Sequence, residues 1–117
     1  PDSFKGKLYI LVNGGSFSNS GILSAALRHY KRGLFIGEET GGNKHSICGS
    51  VKYSILPHTN IRVEIPALQY VISAKQPNSG HGTIPDYIVL PELDNRLNQN
   101  DVAKQFALGL IRGNNSQ

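Results

Sequence analysis

The chain has 117 residues, 38% of them apolar, a formal net charge of +4 and a single cysteine. That length suits one domain and not two, and the lone Cys48 excludes both an internal disulfide and a metal site built on cysteine spacing. The 12 Lys and Arg residues form no block of like charge, so nothing marks a nucleic-acid footprint, and every apolar run is far shorter than the roughly 20 residues of a membrane span.

Leu8 to Val12 is a short continuous apolar run ended by Asn13-Gly14-Gly15, as expected of a strand buried on both faces of a parallel sheet. Ser16 to Ser20 carries helix-start chemistry. Ile22, Leu23, Ala26, Leu27 and Tyr30 then form one apolar stripe at helical spacing. Arg28, His29, Lys31 and Arg32 suit the negative end of that helix, and Gly33 is expected as its C′ residue. Leu34 to Ile36 reads as a second buried strand and Glu38 to Asn43 as a loop.

From Val51 the period changes to two. Val51, Tyr53 and Ile55 alternate with Lys52 and Ser54, and Ile61, Val63 and Ile65 alternate with Arg62 and Glu64. Pro57 to Asn60 lies between them, which predicts an antiparallel hairpin. Leu68 to Ile72 reads as a third strand, Gln76 to Pro85 as a loop, and Tyr87 to Leu90 as a short strand. A final helix is capped by Asn100 or Asp101, lines one face with Val102, Phe106 and Leu110, and is stopped by Gly113. Residues 114–117 are expected as a disordered tail. The order predicts an α/β fold with a mixed sheet, a β-hairpin and two main helices. The first strand has no earlier strand to pair with, so the sheet is expected to be incomplete and the chain marginal on its own.

The strand, the turn from Asn13 and the helix from about Ser18 place a serine where backbone N–H groups converge and the helix dipole is positive. Such a position suits either an N-cap serine or a nucleophile with an oxyanion site. The stretch does not match G-x-S-x-G, because no glycine stands two residues after Ser16 or Ser18. The other groups carry plainer readings. His29, His45, His58 and His81 show no metal-ligand spacing, so no metal is expected. Glu38 and Glu39 are expected to point apart, one pairing and one solvated. Gly41-Gly42 reads as a flexible turn rather than a phosphate cradle. Asp86 after Pro85 is expected to accept local hydrogen bonds.

LYILVNGGSFSNSGILSAAL, GLFIGEETGGN, the hairpin with LPHTNIRVEIP, and GHGTIPD follow one another in the order seen in tail-specific (C-terminal processing) and tricorn-type serine peptidases. The resemblance covers roughly Phe4 to Ile111. It implies a ClpP/crotonase-like fold, with residues 1–113 as the C-terminal part of the catalytic domain. It implies a serine endopeptidase acting on peptides or unfolded proteins through an acyl-enzyme, with no cofactor. Ser18 matches the family nucleophile, Ser16 and Ser20 are then structural, and the Asn19 backbone N–H is one oxyanion donor. The lysine base of tail-specific members falls at Asn43, which cannot take a proton. Lys44 would substitute only with a loop shift and a depressed pKa, and His81 would serve only if the fold brought its loop to Ser18. The carboxylate of tricorn-type members falls near Ser79. The resemblance therefore implies a base outside this chain, supplied by the rest of the same catalytic domain. It also suggests a bacterial cell envelope or periplasmic location. Asn43 and Ser79 equally motivate an inactive peptide-binding relative, and the shared architecture admits a crotonase-like acyl-CoA enzyme.

Overall fold

A computed structural model describes residues 3–72 and 80–114. Three parallel strands form the main sheet: β1 (Tyr9–Val12), β2 (Leu34–Gly37) and β5 (Tyr87–Ile88), in the order β1-β2-β5. Tyr9 pairs with Leu34 and Val12 with Gly37, while Ile36 pairs with Tyr87. The helix α1 (Asn19–His29) joins β1 to β2, the crossover that a parallel pair requires. The expected mixed sheet is not formed among the described residues: the antiparallel pair β3 (Ser46–Ile55) and β4 (Arg62–Val71) is a sheet of its own, in register from Ser46↔Val71 to Ile55↔Arg62, and shares no ladder with the parallel strands. Two helices follow β5, the short α2 (Leu93–Leu97) and α3 (Val102–Asn114).

The core is small. Val12, Ala25, Phe35, Ile36 and Ala107 are its buried apolar side chains, drawn from β1, α1, β2 and α3. The helix α3 packs on β1 and β2, and its Phe106 ring meets Tyr87 of β5 at 5.2 Å. On α1, the Arg28 guanidinium lies over the Phe35 ring at 5.7 Å. The hairpin contributes little to this core. Val51, Tyr53, Ile55, Ile65, Leu68 and Tyr70 are all exposed, so its alternation marks a pleated ribbon and not a buried face.

Several boundaries differ from those expected. The segment from Leu68 is no separate strand, because β4 continues unbroken through it to pair with Ile47 and Ser46. Helix α1 ends through Lys31 and not Gly33. Lys31 takes φ 50°, its N–H donates to Arg28 O, and the Arg32 N–H reaches back to Leu27 O at 2.9 Å, which is a Schellman closure. Asp101 caps α3 by accepting the Lys104 N–H at 2.9 Å. Gly113 does not stop α3, which runs on to Asn114. The described residues hold three helices, because Glu92 and Asn95 form a capping box that starts the five-residue α2. No described helix is long and apolar enough to cross a membrane. The expected site position at Ser79 lies outside the described residues.

Candidate active site

Ser18 stands at the hinge between the turn after β1 and the first residue of α1. Its backbone has φ 55° and ψ −119°, far from the left-handed basin at ψ of roughly +30 to +60°. A non-glycine residue in such a conformation carries strain. Its side chain makes no cap hydrogen bond, and the residue is exposed. The N-cap function that a serine ordinarily performs here is therefore absent. Asn19 is the first residue of α1, so its N–H has no carbonyl one turn earlier.

The neighbouring serines are occupied. Ser16 Oγ accepts the Asn13 N–H at 3.2 Å, and the Ser16 N–H donates to Asn13 O at 2.8 Å. Ser20 Oγ donates to Phe17 O at 2.8 Å, and Ser24 Oγ to Ser20 O at 2.7 Å. These bonds brace the turn on either side and leave the Ser18 hydroxyl without a hydrogen-bond partner among the described residues.

Two glycines allow one loop to close on this turn and a second loop to close on the first. A Cβ at Gly41 would lie 2.3 Å from Gly14 O, and one at Gly82 would lie 2.0 Å from Thr40 O. Only a residue without a side chain permits either approach. Residues 39–44 therefore form a layer between the Ser18 turn and residues 80–83. Thr40 N–H donates to Thr83 O at 3.1 Å and Lys44 N–H to His81 O at 2.9 Å, while the Thr83 N–H donates to Thr40 Oγ1 at 2.7 Å.

The fold thus brings Lys44 and His81 together through their backbones. No hydrogen bond links the Ser18 hydroxyl to either residue among those described. The Asn43 side-chain oxygen accepts the His45 N–H at 2.8 Å. His81 Nδ1 lies 3.1 Å from Glu39 Oε1, and the same oxygen accepts the Gly82 N–H at 2.7 Å. That backbone bond, opposed by partial burial and helped by His81 and then Lys44, holds the Glu39 carboxyl below its ordinary range. Glu38 turns the other way and pairs with Arg96 at 3.5 Å. The adjacent glutamates do point apart, but both are paired. Spacing carries no signal for the Glu39–His81 contact, since the partners lie 42 positions apart.

A cavity of about 230 Å³ opens at the C-terminal edge of the parallel sheet, where ligand sites of open α/β sheets commonly form. Val12, Asn13, Ser16, Gly37, Glu38 and Arg96 help to line it. It adjoins the serine turn from the side of Ser16, and Ser18 stands outside it. No group of three or more His, Cys, Asp or Glu residues among those described is arranged to hold a metal.

No curated protein matches the chain. The family model described as Peptidase family S41 matches residues 1–89, a span that takes in β1, the Ser18 turn, α1, the segments 39–44 and 80–83, and the hairpin. The chain belongs to peptidase family S41.

Proposed function

We propose that this chain carries the nucleophile of a serine endopeptidase, Ser18, within a ClpP/crotonase-like catalytic domain whose remaining part supplies the general base. The observation that carries the reading is the backbone of Ser18. An exposed hydroxyl is held at φ 55°, ψ −119° on a strand–turn–helix junction and forgoes its cap bond. Strain of this kind costs stability and persists where function needs it, and nucleophile serines occupy sharp, strained strand-to-helix turns. The free outer edge of β1, which among the described residues pairs only with β2, supports a sheet that continues into the rest of the domain.

In this reading Ser18 Oγ attacks the carbonyl carbon of the scissile amide while the base takes its proton. The Asn19 N–H, at the positive end of α1, donates to the developing oxyanion. The C–N bond breaks, the amine leaves with the proton from the base, and water hydrolyses the resulting ester. The substrate is a peptide or an unfolded protein. The test is a fluorophosphonate probe applied to the full-length protein. Label is expected on the peptide containing Ser18 and is expected to vanish in Ser18→Ala; label retained in that variant overturns the assignment.

A peptide-binding relative without turnover is the second reading, and Asn43 favours it. Its amide is engaged by the His45 N–H and cannot act as a base. That reading predicts capture of unstructured peptides without cleavage, and turnover dependent on Ser18 excludes it.

A further inference from the structure

The layer formed by residues 39–44 is held from both sides. On one side Gly41 sits against the Gly14 carbonyl, and the Phe17 ring lies within 3.5 Å of where a Gly41 Cβ would stand. Phe17 immediately precedes Ser18, and the first turn of α1 also meets this layer, through Gly21 and the Gly41 carbonyl. On the other side the layer is tied to residues 81–83 by two kinds of bond. Thr40 and Thr83 exchange a backbone and a side-chain bond, and Glu39 accepts from Gly82 and meets the His81 ring on one carboxylate oxygen.

We propose that Glu39 is a positioning residue for the Ser18 reaction: its carboxylate locks segment 81–83 onto the layer that backs the nucleophile turn. The proposal rests on the reading of Ser18 as nucleophile. Gly82 is buried, so its N–H needs an acceptor inside the protein. A carboxylate is the stronger acceptor for it, because a charge-assisted bond is shorter and tighter than a neutral one. The charged or titratable groups facing Glu39 are His81 and Lys44. A charged imidazole binds a carboxylate more tightly than a neutral one, and imidazole is the side-chain type whose charge changes across neutral pH. Loss of the Glu39 carboxylate leaves the Thr40–Thr83 bonds in place. The chain is expected to stay folded while the turn that aims Ser18 loosens, and misplacement by about 1 Å is worth up to roughly 100-fold in rate.

The experiment measures the rate at which a fluorophosphonate labels Ser18 in the full-length protein, from about pH 5.5 to about pH 8.5, a range that spans imidazole titration. Glu39→Ala is expected to stay folded, with a melting temperature lowered by the loss of the Gly82 acceptor, and to label about tenfold or more slowly. Glu39→Gln keeps an oxygen for the Gly82 N–H but has no charge for His81. The ratio of wild-type to Glu39→Gln rates is therefore expected to grow as pH falls, and to become flat when both proteins also carry His81→Asn. Wild-type labelling rates in Glu39→Ala overturn the proposal. If that variant does not fold, a wild-type to Glu39→Gln ratio that is constant across the pH range overturns it instead. A wild-type protein that is not labelled at all sinks the reading of Ser18 and this proposal together, whereas a labelled wild type with an equally reactive Glu39→Ala sinks this proposal alone.

Discussion

The Phe35 N–H donates to Asp86 Oδ2 at 2.8 Å across 51 positions of chain. The other carboxylate oxygen of Asp86 meets Arg28 of α1. Asp86 thus joins the start of β2, the approach to β5 and the end of α1. The expectation of purely local bonds at this aspartate is corrected by both partners. Phe35 is fully buried, so the aspartate satisfies an amide that has little access to water.

Asp86→Ala is accordingly expected to destabilise the protein by about 1–3 kcal/mol, the cost of a buried donor left without an acceptor. Asp86→Asn keeps an oxygen and is expected to cost less. Burial pushes the Asp86 carboxyl up, but Arg28 and the Phe35 N–H outweigh it and hold the group below its ordinary value. A lowered folded-state pKa adds stability above the unfolded value and loses it as pH falls through the folded one. Denaturant midpoints of the wild type are therefore expected to drop below the ordinary carboxylate range, and those of Asp86→Asn to drop less steeply. Parallel acid profiles for the two proteins count against the assignment.

The glycines divide sharply. Gly41→Ala and Gly82→Ala place a Cβ within 2.3 and 2.0 Å of backbone oxygens, and each is expected to cost about 1–3 kcal/mol through forced backbone movement. Gly109 lies within α3 and a Cβ there meets nothing within 4 Å. Gly109→Ala is expected to stabilise by about 0.5–1 kcal/mol, because alanine loses less conformational entropy in a helix. Thermal unfolding of the three variants distinguishes them, and equal melting temperatures for all three refute the packing described around Gly41 and Gly82.

Strain at Ser18 makes a separate prediction. Ser18→Ala removes the hydroxyl and keeps a Cβ in the same backbone conformation. Ser18→Gly removes both the hydroxyl and the steric conflict of positive φ. The glycine variant is expected to be more stable than the alanine variant by about 1 kcal/mol, with both unreactive to the fluorophosphonate. Alanine and glycine variants of equal stability leave no strain to relieve at this position.

The sequence by itself was enough for the strand–turn–helix around Ser18, the parallel α/β character and the hairpin. Each of these is written in a local period or in turn residues, and each maps onto φ/ψ preferences that neighbours in the chain decide. The ordered motifs from LYILVNGGSFSNSG to GHGTIPD likewise carried the family resemblance, which the match over residues 1–89 bears out. Local reading went astray where two local rules competed. Gly33 and Gly113 looked like helix stops, yet Lys31 takes the left-handed closure and α3 passes through Gly113. Helix α2 carries no periodic signal in the sequence, because five residues are too few to show one. Only the tertiary structure decided that the Ser18 hydroxyl forgoes its cap, that Glu39 meets His81 and Gly82, and that Asp86 serves Phe35 and Arg28. Those contacts join groups 42 to 58 positions apart, and the partner at such a distance is chosen by how strands and loops stack, which no local pattern of residues encodes.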